Sequence, residues 1–196
     1  MVLKRILLLT LILALAAAAA GAEEAFPVGT ELAPFGESDL TFSGITYTEL
    51  QPDILPGIPE SELIDNEDGS WLLVCKGDGY EAVFRCDSDG GNASILSFSI
   101  LDPETEGPRG IKLGDSFNID FNLFRNGENE MEEDLTELLY GTEGKAPWGF
   151  ASYDSSSGEM SLRYVTVTDS GMEVELLLRY AETYLTEIIF QTVESA

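Results

Sequence analysis

Two cysteines, 36 carboxylates and no histidine bound the chemistry open to this chain. Without histidine, Ser-His and Cys-His nucleophilic pairs and histidine-ligated metal centres are excluded. No Gly-rich loop leads into Lys-Ser or Lys-Thr, so there is no phosphate cradle of that type. Paired-carboxylate hydrolysis depends on the spatial separation of two acids rather than on sequence spacing, and nothing singles out two of the 36. The chain is therefore read as non-catalytic and without a cofactor.

Two acidic, glycine-containing runs carry the hard oxygen donors that Ca²⁺ takes: Asp65-Asn66-Glu67-Asp68-Gly69 and Asp87-Ser88-Asp89-Gly90-Gly91-Asn92. Asp65, Asp68, Asp87 and Asp89 are the weak metal candidates. Neither run completes an EF-hand loop, the second lacking glutamate at the twelfth position, and solvated turns are the expected role.

Cys75 and Cys86 must be positioned by the elements around Asp78-Gly79, a pair that suits the two positive-φ residues of a type I′ hairpin. With those two as the loop, Gly77 pairs with Tyr80, Cys75 with Ala82, Leu73 with Phe84 and Trp71 with Cys86. One face then collects Trp71, Leu73, Cys75, Ala82, Phe84 and Cys86, and the other Lys76, Glu81 and Arg85. In this register the cysteines stand about four residue steps apart, on the order of 13 Å, whereas a bridge needs Cα atoms within about 7 Å. Two buried free thiols are expected, with a disulfide as the rival in an exported chain.

The remaining chain divides around this hairpin. Residues 23–39 read as an extended leader into the domain, 40–102 as a first half and 109–196 as a second. The first half holds a short strand near Leu40–Tyr47, a helical turn around Thr48–Leu55 and a third meander strand from Ala93 to Leu101, with Leu96, Phe98 and Ile100 on one side. Asp102–Arg109, with Pro103 and Pro108, reads as the boundary. In the second half, Met131, Leu135, Leu138 and Leu139 fall at helical spacing before Gly141. Strands are expected near 147–153, 160–168, 172–180 and 184–193, with a Ser170-Gly171 turn pairing Val167 with Val174 and Val165 with Leu176. Residues 117–124 fit both periods: Phe117, Phe121 and Phe124 a helix, Phe117, Ile119, Phe121 and Leu123 a strand, towards which the pattern leans. Both halves have a Gly-Ile start (Gly44-Ile45, Gly110-Ile111) and a tryptophan opening the sheet (Trp71, Trp148), consistent with an internal repeat.

Lys4 and Arg5 precede a leucine-rich run from Ile6 to Leu15 that tapers into alanines and Ala20-Gly21-Ala22, the pattern of a secretory signal peptide over residues 1–22. The mature chain is expected to be extracellular, without membrane insertion. Cleavage after Ala22 removes two cations and no acid, taking the formal net charge from −26 to −28. So acidic a surface repels phosphate backbones and anionic headgroups, which argues against nucleic acid as a partner. Hydrophobic residues at 44% and aromatics at 10% are too many for a disordered chain.

The segment Arg109-Gly110-Ile111-Lys112-Leu113-Gly114-Asp115-Ser116, with Leu139-Tyr140-Gly141 and a strand-rich tail, resembles uncharacterised secreted proteins of Gram-positive gut bacteria. Those in turn are similar to the helix-plus-meander fold shared by the outer-membrane assembly lipoprotein BamE and the β-lactamase inhibitor protein. The resemblance implies structural roles for Gly110 and Gly114 in a strand-to-helix turn, with Asp115 or Ser116 capping a helix over 116–125. It implies an α+β fold, short helices packed on antiparallel meander sheets, in two BamE/BLIP-like repeats. The expected function is a secreted interaction module that binds a protein or cell-envelope component, with Tyr153, Tyr164 and Tyr184 as candidate contacts. The rival classes are an inhibitor of a secreted enzyme and a carboxylate-based hydrolase. Titrating thiols in denatured, unreduced protein tests the hairpin register: two free thiols are expected, and none would show the register to be wrong.

Overall fold

Alternation of apolar and polar residues builds one large sheet, and aromatic side chains from outside it decide which face is buried. The computed structural model describes residues 32–66, 69–87, 92–126, 136–154 and 156–193; residues 1–22, expected to be a signal peptide, lie outside the described residues. A two-stranded ribbon, β1 (Thr41–Phe42) and β2 (Ile45–Thr46), sits among 3₁₀ turns at Glu37–Asp39, Tyr47–Glu49 and Pro52–Ile54. A first meander follows: β3 (Glu60–Asp65), β4 (Trp71–Gly77), β5 (Tyr80–Cys86) and β6 (Ala93–Ile100). Residues 101–116 lead into α1 (Phe117–Phe121). The second meander is β7 (Thr136–Thr142), β8 (Lys145–Asp154), β9 (Glu159–Val167), β10 (Glu173–Ala181) and β11 (Tyr184–Thr192). The order across the sheet is β3-β4-β5-β6-β11-β10-β9-β8-β7, antiparallel at every pairing.

The expected α+β architecture is overturned. Strands make up 52% of the described residues and α1 is the one α-helix among them, so the fold is β-rich, with turns and a single short helix on its sheet. Pro52 and Pro56 break the chain after single 3₁₀ turns where a helical turn was expected. The helical spacing ending at Leu139 is likewise misleading. Thr136–Thr142 is an edge strand paired with β8, because cross-strand pairing outweighs local periodicity in a segment as rich in Thr, Leu and Tyr as this one. Met131 and Leu135 lie outside the described residues. Residues 117–121 take the helical option.

Two registers also differ from expectation. The β9–β10 connection is a three-residue loop, closed by the Thr168 N–H on the Met172 carbonyl at 2.9 Å, with Gly171 at φ +85°. Tyr164 therefore faces Leu176, and Val165 faces Glu175. One extra loop residue has moved Val165 to the opposite face, the usual consequence of a one-residue slip. In β6 a bulge opposite Val83 and Phe84 buries Ile95, leaving Leu96 half-buried. The β4–β5 register, by contrast, is the expected one, although only Gly79 of the loop pair takes positive φ, at +82°, so the turn is not the expected type I′; both cysteines are free and buried.

The two meanders meet where β6 pairs with β11 over only four residue pairs, from Ile188↔Ile100 to Gln191↔Ser97. Phe98 of β6 and Phe190 of β11 lie side by side there. Phe42 stacks on Phe98 at 4.3 Å and leans on Phe190 at 5.4 Å, and Tyr47 stacks on Phe190 at 5.6 Å. The Tyr47 hydroxyl donates to the Leu96 carbonyl at 2.9 Å and shares a hydrogen bond with Thr192 Oγ1 at 3.0 Å, so one buried side chain bridges both strands. Further along the same face, Phe35 and Phe124 contact Tyr164, and Phe117 meets Tyr180 edge-on.

Arg109 fastens this covering layer. Its guanidinium donates to both carboxylate oxygens of Asp39, at 2.8 and 2.7 Å, and to the carbonyls of Ala33, Pro34 and Leu123, while lying 4.3 Å over the Phe124 ring. Lysine could not reproduce this fork of bonds. Phe190→Ala should lower unfolding free energy by about 3–5 kcal/mol, and Tyr47→Phe by about 1–2 kcal/mol through the polar groups left unpaired. Urea denaturation checks both, and a Phe190→Ala loss below about 1 kcal/mol would remove the seam from its central place.

Candidate functional site

Side chains directly opposite on paired strands share a face, so the ladders assign the sheet residues to two faces. The first, beneath the aromatic layer, holds Phe84, Phe98, Phe190, Leu176, Tyr164 and Ala151, all buried. The second carries Leu72 and Val74 of β4, Glu81 and Val83 of β5, Ser97 and Ser99 of β6, Ile189 and Gln191 of β11, Leu177 and Arg179 of β10, and Trp148 and Phe150 of β8. Among the described residues, the ring contacts of segments outside the sheet fall on the first face. The second is the uncovered face and the candidate site.

Its centre is polar and fully paired. Arg163 of β9 grips Glu175 of β10 with two hydrogen bonds, Nε to Oε1 at 3.1 Å and an Nη to Oε2 at 2.7 Å, and Gln191 donates to Glu175 Oε1 at 3.0 Å. Glu175 is only 2% exposed, a burial that the bidentate partner makes tolerable. Its hydrogen bonds hold the Arg163 guanidinium even more firmly charged than usual. That guanidinium also lies 5.4 Å over the Trp148 ring, and Trp148 meets Phe150 edge-on. Arg179 and Glu187 form a second, exposed pair at 2.8 Å. Between the two pairs runs a trough of about 620 Å³ floored by Leu177, Ser161 and Ser152. Trp148, opposite Val165, shields that residue from the same side. The arrangement offers apolar and aromatic area with ion pairs already satisfied, the composition of a contact surface.

The residues singled out from sequence are dispersed. Trp71 starts β4 half-buried on the covered face with Cys75 and Cys86, whereas Trp148 lies on the uncovered one. Burial, with Asp87 beside it, pushes the Cys86 thiol up. Asp65 ends β3 exposed, Asp87 accepts a hydrogen bond from Asn92 at 2.9 Å, and Asp68 and Asp89 lie outside the described residues. Among the described residues no three His, Cys, Asp or Glu side chains converge on a metal position. Gly110 and Gly114 adopt positive φ, at +83° and +91°.

The expected helix cap is not made. Ser116 gives no side-chain cap, and Asp115 Oδ2 instead accepts the Lys112 N–H at 2.8 Å. The first helical amide, that of Phe117, goes to the Thr183 carbonyl at 2.8 Å, so the β10–β11 turn does the work of the cap. Of the three tyrosines, Tyr184 is 58% exposed, Tyr153 is half-buried against the core, and Tyr164 is fully buried at the centre of the covered face, so it cannot be a contact. Sequence reasoning missed Arg163, Glu175 and Gln191. The signal was present in Glu175-x-Leu177-x-Arg179, charges alternating with an apolar residue on one side of a strand.

No family model, no curated protein and no solved structure matches this chain. One further carboxylate stands apart. Asp120 of α1 is completely buried, accepts the Tyr180 hydroxyl at 2.9 Å through Oδ2, and has no hydrogen-bond partner for Oδ1 among the described residues. Burial raises its pKa to about 7, outweighing the Tyr180 hydrogen bond that lowers it, with Asp115 adding to the rise. A carboxyl held above its unfolded value favours folding in the protonated form, so its penalty is absent below about pH 4 and grows as pH rises towards about 7. Asp120→Asn should therefore raise the melting temperature at pH 8 more than at pH 5. An equal effect at both values would show the carboxyl to be ionised throughout.

Proposed function

We propose that this protein is an exported, non-catalytic interaction module that applies the uncovered face of its sheet to another protein or a cell-envelope component. The observation that carries the proposal is a sheet that, among the described residues, is clothed on one face only. The aromatic layer lies wholly on the side of Phe98, Phe190 and Tyr164, while Val74, Val83, Phe150 and Ile189 remain half-exposed on the other. A contiguous half-apolar face of this kind marks an interaction surface in soluble proteins. Export is supported by the charged, leucine-rich and small-residue succession of residues 1–22. The hydrolase alternative finds little support, since Glu175 is saturated with hydrogen bonds and Asp120 is inaccessible to a substrate.

The test is capture from the native envelope and secretome with protein recovered from the medium, whose chain should begin at Glu23. Val83→Lys with Ile189→Lys should reduce recovery of the partner about tenfold or more while the fold persists, because the long stems of lysine tolerate half-exposed positions. Ser38→Lys with Asn118→Lys, on exposed positions of the covering side, should leave capture intact. Equal loss in both variants would mean that net charge, and not the face, governs binding; retention in both would dismiss the face.

A further inference from the structure

At the end of the sheet opposite β7, β3 pairs among the described residues only with β4, and all six of its residues are exposed. The direction of its backbone groups follows from two turns. The Asn66 N–H bonds the Ser70 carbonyl at 2.9 Å, so Asn66 and Ser70 form a hydrogen-bonded pair. Bonded and non-bonded pairs alternate in an antiparallel ladder. Ile64↔Leu72, Glu62↔Val74 and Glu60↔Lys76 are therefore the bonded pairs. The β4–β5 hairpin requires the same parity, because Gly77, Cys75 and Leu73 bond β5. The N–H and C=O groups of Ser61, Leu63 and Asp65 consequently point away from the sheet.

This edge is furnished on both sides. Leu63 and Ile64 are 40% and 41% exposed, and just before the strand Ile58 is fully exposed. Glu60 and Glu62 project on the uncovered face, Leu63 on the other. A second copy would bring the same acids and the same net charge of −26 to the edge, the device by which proteins block self-pairing. Nor can the chain's own amino terminus fill it. Residues 33 and 35 are tied beside Arg125 and to the Tyr140 hydroxyl, with the Phe35 ring against Tyr164 of β9. β9 lies about 29 Å away across six strand spacings of about 4.8 Å. With the leader removed, as proposed above, residues 23–31 would spend six in the ladder and retain three, a reach of about 10 Å.

We infer that the β3 edge is a strand-addition site for an extended segment of a cationic partner, with Lys or Arg beside Glu60 and Glu62 and an apolar residue beside Leu63. Main-chain bonds to Ser61, Leu63 and Asp65 would supply affinity, and the carboxylates and Leu63 would supply selection, the usual division in β-augmentation. The site is made of backbone at the rim, with Glu60 and Glu62 at the margin of the face invoked for the main function and Leu63 on the other side.

A capped hexapeptide of alternating lysine and valine is the probe, added to ¹⁵N-labelled protein. It should slow amide exchange at Ser61, Leu63 and Asp65, and leave the already bonded amides of Glu60, Glu62 and Ile64 unchanged. A peptide N-methylated at alternate residues, which cannot complete the ladder, should bind about tenfold more weakly or less. Leu63→Pro removes a donor that faces outward, so the β4 ladder survives and binding is lost. Glu60→Lys with Glu62→Lys should exchange the preference for a glutamate-valine peptide. Val83→Lys with Ile189→Lys should still bind the peptide, separating this inference from the face. Equal binding of the N-methylated peptide, undiminished binding to Leu63→Pro, or exchange protection of the three amides by self-association of the free protein would each overturn the assignment.

Discussion

The seam between β6 and β11, roofed by Phe42 and Tyr47, is the contact on which the rest depends. Four residue pairs join the meanders, and backbone hydrogen bonds contribute a net of about 1 kcal/mol each. A buried Phe or Tyr covers about 150–250 Å², which at about 25 cal/mol per Å² amounts to about 4–6 kcal/mol per ring as an upper figure. The four rings over the seam outweigh the ladder beneath them. They act only from one side, so the interaction that fuses the halves also determines which face is covered. The uncovered face is a consequence of where the aromatic residues of the amino-terminal segment are spent.

Charge reinforces this division. A formal net charge of −26 opposes compaction, and two of the few cations, Arg109 and Arg163, are placed where they bind several groups at once. Arg109 joins Asp39 and three carbonyls, binding residues 33–39 to the linker that precedes α1. Arg163 joins Glu175 under Trp148. The first holds the cover down, and the second keeps the open face neutral at its centre, where an unpaired Glu175 would be costly.

Local chemistry made part of this legible. Asp78-Gly79 specified the β4–β5 register because a two-residue loop leaves one alignment, although Gly79 alone takes positive φ, and the alternation of Trp71, Leu73 and Cys75 marked the buried side. Elsewhere local signals misled. Ser170-Gly171 looked like a two-residue turn although the loop begins at Asp169, which reversed the facing of Val165. β3 was hidden among Pro56, Pro59 and the five acids Glu60, Glu62, Asp65, Glu67 and Asp68, residues that suit an edge strand and disguise it as a loop. Leu138 and Leu139 matched a helix until the pairing with β8 decided otherwise. The candidate face was not legible at all, because membership of a face across nine strands depends on the β6–β11 pairing, made by segments nearly a hundred residues apart. The expectation of packed helices failed for a related reason: turns and rings, rather than helices, cover this sheet.

Solvent paramagnetic relaxation of side-chain methyl groups measures the central asymmetry directly. With a soluble gadolinium chelate, the methyls of Val74, Val83 and Ile189 should broaden strongly, and those of Leu176, Ile95 and Ile188 should remain sharp. Comparable protection of both sets would mean that the second face is covered in solution, and would contradict the account.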